Sequence, residues 1–415
     1  MKYIIVIGDG MADYPLPAYG DRTPLEVAQT PAMDRLARQG VVGLFCPIPE
    51  GMPPGSDIGN LSMFGYDPRK AFRGRAPIEA ANQGIVLADN EVAFRCNLVT
   101  LNNGIMQDFT AGHISTEDAT QIIRSLNSVL SKEFPVTLYP GVSYRHLMVF
   151  PAADSEELQA LVEMDCTPPH NITDQDYAPH LPKGDLQDVI RRMMERSQEL
   201  LPNHPVNVDR QGRGELAATS IWLWGQGKAP HMESYASKFG ISGAVISAVD
   251  LVKGMGVCAG LEVINVPGAT GWVDTDYEGK TQAGLDALNR HDLVVIHLEA
   301  PDETAHQGRA DLKIQAIEDL DRRVVAPCMR YVEEHPETRL LVAPDHFTLI
   351  STKTHAGGPV PFTLCGAGIE ASNAPGYSEA YAKASGILVE DGHMLVQRMI
   401  GDKKLDFVAQ SRLHN

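Results

Sequence analysis

The sequence is poor in positive charge: 35 Lys and Arg stand against 53 Asp and Glu, a formal net charge of -18. That deficit argues against a nucleic-acid interface, which needs a basic face. It also means that an anionic substrate must be drawn in by a local cationic site rather than by the overall field. Cysteine is sparse too. Cys46, Cys96, Cys166, Cys258, Cys328 and Cys365 lie far apart with no C-x-x-C pair, which excludes a zinc knuckle or disulfide framework and fits a reducing compartment. No apolar run approaches the ~18 residues of a membrane span. The opening "MKYIIVIGDGMADYP" is too short in apolar residues for a signal h-region. A cytoplasmic protein without membrane or nucleic-acid partners is the expectation. Internal repeats, low-complexity tracts and a Walker-type G-x-x-x-x-G-K-[ST] loop are also missing.

What is present is an ordinary globular composition, 43% apolar and 21% charged, on 415 residues. That length exceeds a typical single core, so a large domain with an insertion, or two domains, is expected. "YIIVIGDG" reads as a buried strand ending in a Gly-rich turn. "TPAMDRLARQG" follows as a short amphipathic helix, with Thr30 as N-cap, Pro31 in the first turn and Gly40 past the end. The strand signature returns in "IWLWGQG" (221–227), "HDLVVIHLEA" (291–300) and "TRLLVAPDH" (338–346), separated by helical patterns. This alternation predicts an α/β fold: a mainly parallel sheet with helices on both faces. The middle mixes strands such as "EVAFRCNLVTL" and "SYRHLMVF" with helices. It reads as a smaller α+β insertion over 91–214, leaving 1–90 and 215–415 as the sheet domain, with "VDRQGRGELAATS" as the returning linker.

Chemistry concentrates at the expected carboxyl ends of strands. Asp9 follows the first strand, where a lone Asp is either a turn residue or a ligand. "HLEAPDETAHQG" sets Asp302 and His306 four apart, on one face of any helical turn; helix capping is the other reading. "APDHFT" supplies adjacent Asp345 and His346, which must sit in a turn to reach one centre. "KTHAGG" adds His355. Three carboxylates and three imidazoles suit Zn²⁺ or Mn²⁺, and less readily Mg²⁺. Six ligands exceed one tetrahedral site, so two divalent ions are the natural count, and two-metal sites commonly serve in-line displacement at phosphorus. In "PEGMPPGSDIGNLSMFGYDP", Ser56 is either an ordinary N-cap or a nucleophile at a helix N-terminus.

"GDGMAD", "GSDIGNLSMFGYDP", "PDETAHQG", "PDHFT" and "KTHAGGPVPF", in that order, resemble the alkaline-phosphatase superfamily. More closely, the chain resembles the archaeal-type, cofactor-independent phosphoglycerate mutases over essentially its whole length. The resemblance implies an alkaline-phosphatase-like sheet domain with an inserted lid. It implies one metal held by Asp302, His306 and His355, and another by Asp9, Asp345, His346 and the Ser56 oxygen. Ser56 would accept a phosphoryl group and return it to the other hydroxyl of glycerate. The lid, by excluding water, would keep the phosphoserine from hydrolysis. His113, Arg145, His170 and Arg73 are the lid-side candidates for gripping a small phosphorylated anion. Arg69, Lys70 and Arg75 belong to the same basic run as Arg73, a run equally readable as a solvated turn, and Lys253 reads as an exposed helix residue. A bacterial branch of the family includes proposed homoserine kinases, so ATP-dependent phosphorylation of homoserine is the alternative activity on this fold.

Overall fold

A computed structural model describes residues 1–401 of the chain, which form two compact units. One comprises Met1–Phe72 and residues 232–401; the other is Arg73–His231. The divisions therefore fall after Phe72 and His231, outside the expected 91–214. Two elements account for the difference. The helix Ala76–Asn82 buries Ala76 and Ala80 against Ala93 and Leu147 of the second unit. The strand Ser220–Gly227, expected in the parallel sheet, pairs antiparallel with Glu91–Asn102 and buries Ile221, Trp222, Leu223 and Trp224 in the second unit's core.

The first unit holds an eight-stranded sheet. Its order is Leu388–Val389, Val41–Phe45, Val360–Gly366, Thr338–Ala343, Lys2–Gly8, Leu293–Leu298, Gly243–Ile246 and Glu262–Val263. Only Val360–Gly366 runs antiparallel to its neighbours. Lys2–Gly8 is central, with residues 3–8 buried throughout, as expected for a strand covered on both faces. Ile4 and Val6 pack with Leu36, Ile317 and Leu320 from helices on one side. The helix Pro31–Gln39 starts and stops where Thr30, Pro31 and Gly40 indicated. Its capping bonds come from elsewhere, however: Thr30 makes no side-chain cap, and the Asp321 carboxylate accepts the amides of Ala32 (3.1 Å) and Met33 (2.7 Å).

The second unit is an antiparallel sheet around the 12-residue strand Glu91–Asn102. Arg145–Pro151, Ser220–Gly227 and Ile105–Asp108 pair with it, and Thr137–Tyr139 extends the edge. The helices Thr116–Glu133 and Gln187–Leu200 supply Ile122, Ile123, Leu126, Ile190 and Met193 to its core. Among the described residues no helix is long and apolar enough to cross a membrane.

One buried ion pair ties the first unit's strand-end loops together. Lys313 Nζ, wholly buried, donates to Asp13 Oδ2 (2.9 Å), the Ala12 carbonyl (3.2 Å) and the Thr348 carbonyl (2.7 Å). Removing one member of such a pair strands the other charge away from water, at a cost of about 3–5 kcal/mol. Lys313→Met should lose stability of that order in urea unfolding followed by circular dichroism. The double variant Asp13→Asn/Lys313→Met should lose clearly less than the sum of its two single changes.

Candidate metal centre

The strands Thr338–Ala343, Lys2–Gly8 and Leu293–Leu298 are adjacent and parallel, so their carboxyl ends open at one edge. Asp9 follows the middle strand directly. Asp302 and His306 occupy the helix Ala300–His306 after one neighbour, and Asp345 and His346 the turn after the other. His355 arrives on a two-stranded hairpin that sets it opposite Thr348. Ser56 is the first residue of the helix Ser56–Met63, and Gly55 rather than Ser56 takes the N-cap position. The serine hydroxyl thus makes no cap bond and lies instead 3.0 Å from His346 Nε2.

All six expected ligands converge. His346 Nε2 lies 3.3 Å from Asp9 Oδ1 and 3.4 Å from Asp345 Oδ2. Asp302 Oδ2 lies 3.3 Å from His306 Nε2, and Asp302 Oδ1 lies 3.4 Å from His355 Nε2. Two triplets, Asp302 with His346 and His355 and Asp9 with Asp345 and His346, bring their ligand atoms close enough for a metal ion. His346 stands in both. The carboxylates are almost wholly buried, at 1% (Asp9), 5% (Asp302) and 0% (Asp345) exposure.

Such burial has a cost. Burial, then the charges of Asp345 and Asp302, push the Asp9 carboxyl well above its ordinary range. Burial also opposes ionisation of Asp302, but hydrogen bonds from His306 and His355 outweigh it and hold that group well below its ordinary range. The Asp302 hydrogen bond raises His306 to about 9. Asp9 Oδ1 is buried without a hydrogen-bond donor. His306 Nδ1 donates to the Lys353 carbonyl at 2.9 Å, so loss of the proton on Nε2 would leave a lone pair there, 2.9 Å from His355 Nε2. With that proton removed, two facing ring nitrogens beside carboxylate oxygens would offer a cation a place between them. These donors, mixed nitrogen and oxygen, fit a divalent transition ion.

The surroundings supply direction. Thr348 Oγ1 donates to Asp302 Oδ1 at 2.5 Å, so at 3.1 Å from His346 Nδ1 it can only accept. His346 Nδ1 is therefore the protonated nitrogen, and Nε2 turns its lone pair toward Ser56, Asp9 and Asp345. Asn60 Nδ2 donates to Asp345 Oδ2 (2.6 Å) and to the Ser56 carbonyl (3.0 Å), while the Gly10 amide donates to Asp345 Oδ1 (3.1 Å). Gly10 has φ +58, and a Cβ there would lie 2.3 Å from Thr348 Oγ1. A Cβ on Gly59 would meet the Asp345 carbonyl oxygen at 2.3 Å. Neither position has room for a side chain.

The expected anion-gripping residues lie in the second unit. Arg95, unforeseen from sequence and 7% exposed, bonds Glu79 (3.0 Å) and stacks 4.1 Å over the Trp224 ring. Arg75 bonds the same Glu79 at 3.1 Å. Burial raises the Glu79 carboxyl, but Arg95 and Arg75 outweigh this and bring it below its ordinary value, with a smaller contribution from Arg145. His170 packs edge-on against Trp224 (5.4 Å) and Phe109 (6.0 Å). That desolvation, with the Arg95 and Arg75 charges, holds it at about 4. Arg145 and His170 therefore join an arginine cluster, whereas Arg73 and His113 lie on exposed turns, His113 at φ +50. Arg69 and Lys70, exposed on the short helix Pro68–Ala71, pair with Asp67 in the first unit. Lys253 sits in the helix Asp250–Cys258.

Thr348→Val keeps the volume but removes the donor to Asp302 Oδ1 and leaves His346 Nδ1 only the Phe347 carbonyl at 3.3 Å. A loss of about 1–3 kcal/mol in thermal or urea unfolding is expected, with Thr348→Ser restoring most of it.

A family model described as 2,3-bisphosphoglycerate-independent phosphoglycerate mutase matches residues 37–207. A probable 2,3-bisphosphoglycerate-independent phosphoglycerate mutase of Geobacter sulfurreducens is 49% identical over 405 residues, covering 96% of this chain and 100% of the relative. The corresponding protein of Methanothrix thermoacetophila is 48% identical over 401 residues, with the same coverage of 96% and 100%. Among solved structures, a Pyrococcus horikoshii protein superposes with TM-score 0.80 at 26% identity, covering 98% of each chain. The cofactor-independent phosphoglycerate mutase of Thermoplasma acidophilum shares the fold, with TM-score 0.65 at 22% identity over 97% of this chain and 100% of that one. With near-half identity along nearly its whole length and the strand-end ligand set in place, the chain belongs to the 2,3-bisphosphoglycerate-independent phosphoglycerate mutases.

Proposed function

We propose that this protein interconverts 2-phosphoglycerate and 3-phosphoglycerate through a phosphoserine at Ser56, without 2,3-bisphosphoglycerate, using two divalent ions. The single observation that carries the reading is the Ser56 hydroxyl set 3.0 Å from His346 Nε2, amid buried carboxylates that need cations. Asp302, His306 and His355 would hold one ion; Asp9, Asp345, His346 and the Ser56 oxygen would hold the other. Manganese is our choice of metal, since nitrogen and carboxylate donors are mixed. When bound, such ions supply positive charge that neutralises phosphoryl oxygens and eases loss of a hydroxyl proton.

The chain's own residues do the rest. Ser56 Oγ forms a bond to phosphorus as the bond from phosphorus to the glycerate oxygen breaks, and the serine's proton passes to that oxygen. The other hydroxyl oxygen of the retained glycerate then bonds to phosphorus as the bond from Ser56 Oγ to phosphorus breaks, and that hydroxyl's proton passes to the serine. At the start of its helix, Ser56 also sits at the positive end of the peptide dipoles, where a phosphoryl group is favoured. Arg145, His170 and the Arg75–Arg95 pair are the groups we assign to the substrate's anionic ends, because guanidinium forks match phosphate and carboxylate. We assign the Arg73–His231 unit the lid's task of keeping water from the phosphoserine. The sequence carries no Walker loop for an ATP donor, and relatives of near-half identity bear the mutase name. Both favour the mutase over the homoserine kinase.

Assay of Mn²⁺-loaded enzyme on 3-phosphoglycerate, and separately on homoserine with ATP, tests the substrate; turnover of only the second would refute the mutase. Ser56→Ala should keep the fold and lower turnover by roughly 10⁴-fold or more, and an active variant would remove the nucleophile. Metal binding must displace the proton that Asp302 holds on His306 up to about 9. Apparent Mn²⁺ affinity should therefore fall as pH is lowered from 9 to 7, by about tenfold per unit from this proton alone. Titrations in buffers of different ionisation enthalpy should register the released proton.

A further inference from the structure

Behind Asp9 lies a pair of residues that neither ligand set includes. His297 belongs to the strand Leu293–Leu298, where its register partner is Ile7 of the central strand. Ser247 directly follows Gly243–Ile246, the next parallel strand across. Asp9, His297 and Ser247 thus form a row over three neighbouring strands. His297 is 0% and Ser247 2% exposed, so water cannot stand in for the bonds they make.

With Asp9 ionised, as a metal ligand must be, its Oδ2 can only accept, and this sets the direction of the row. The Val249 amide donates to Ser247 Oγ at 2.9 Å. Ser247 Oγ lies 3.1 Å from His297 Nδ1 and gives its hydroxyl proton there. His297 Nε2 then carries the ring proton and donates it to Asp9 Oδ2 at 2.9 Å. One Asp9 oxygen is thereby engaged from behind. The other, Oδ1, is buried with no donor and lies 3.3 Å from His346 Nε2.

We propose that Ser247 and His297 are positioning residues that fix the rotation of the Asp9 carboxylate, so that Oδ1 alone is offered to a divalent ion. The proposal rests on the metal reading above. A hydrogen bond to the far side of a ligating group typically sets its orientation and is worth 10–100-fold in metal affinity. The ionised Asp9 gives the row its sense: Oδ2 accepts from His297 Nε2, which leaves Nδ1 to accept from Ser247.

The test is calorimetric titration of Mn²⁺ into metal-stripped protein, with thermal unfolding of every variant alongside. His297→Leu should bind at least one ion about 10–100-fold more weakly than the unsubstituted enzyme. His297→Gln, whose amide donates to Asp9 and accepts from Ser247, should recover most of the loss. Ser247→Ala keeps the ring but frees its tautomer, and should fall between. A folded His297→Leu that binds like the unsubstituted enzyme overturns the proposal; so does equal weakening by Leu and Gln, which marks a packing role. Should His297→Leu fail to fold, unchanged affinity in Ser247→Ala overturns it instead. An unsubstituted enzyme that takes up no divalent ion overturns the metal reading itself, and this inference with it, whereas normal uptake with indifferent variants removes this inference alone.

Discussion

Mutual repulsion among Asp9, Asp302 and Asp345 is the constraint around which the first unit is organised. Each is buried, and Asp9 feels the charges of the other two. Carboxylates so placed must be protonated, paired or bound to cations. Here pairing is incomplete by design of the fold. Gly10 and Asn60 donate to Asp345, Thr348 to Asp302 and His297 to Asp9, and oxygens of the same three carboxylates face imidazole nitrogens at 3.3–3.4 Å. The donors hold the ligands apart and directed, and the remaining charge is left for an ion to satisfy.

The ligands were legible because each sits in a short segment at a strand end, where a polar residue interrupts a buried run. Asp9, Asp302 and Asp345 are visible for that reason, and adjacent parallel strands are what bring them together. His297 escaped notice because it lies inside a strand whose neighbours are all apolar, where a lone histidine reads as core. Thr348 and Asn60 escaped for another reason. Their importance is a matter of hydrogen-bond direction, which residue spacing does not encode. A histidine inside an otherwise apolar strand, next to a strand ending in Asp, was the available signal. Arg95 offered less. It alternates into a strand of the second unit and acquires its partners, Glu79 and Trp224, only through pairing of distant segments.

The misread strand shows the limit of apolar pattern. "IWLWGQG" has the length and composition of a buried parallel strand, and nothing local distinguishes one sheet from another. Its place is decided by partners: Ile221 through Gly227 find their ladder on Glu91–Asn102, and the two tryptophans fill that unit's core. The return to the parallel sheet is therefore delayed until after His231. The same pairing sets Trp224 beneath Arg95 and beside His170, so the antiparallel strand that defeated the domain boundary also creates the cluster assigned to the substrate's anionic ends.

Layering outward from the centre explains how so polar a site can be stable before any ion enters. The inner layer is anionic and lone-pair rich. The next consists of neutral donors whose own acceptors are already fixed: Thr348 between Asp302 and His346, and Ser247 behind His297. Beyond Thr348, its carbonyl is held by Lys313, whose charge is balanced by Asp13 in a wholly buried pair. Each layer restricts the one inside it, so ligand rotamers are selected by packing rather than by the metal. A site preorganised in this way spends little of an ion's binding energy on rearrangement. It also keeps the Ser56 oxygen at the start of its helix, aimed at His346, because Asn60 fixes the Ser56 carbonyl and Asp345 together. Ser56 and the ligands proposed for the ions are thus located by one connected network, so that displacing an outer member bears on the Ser56 oxygen.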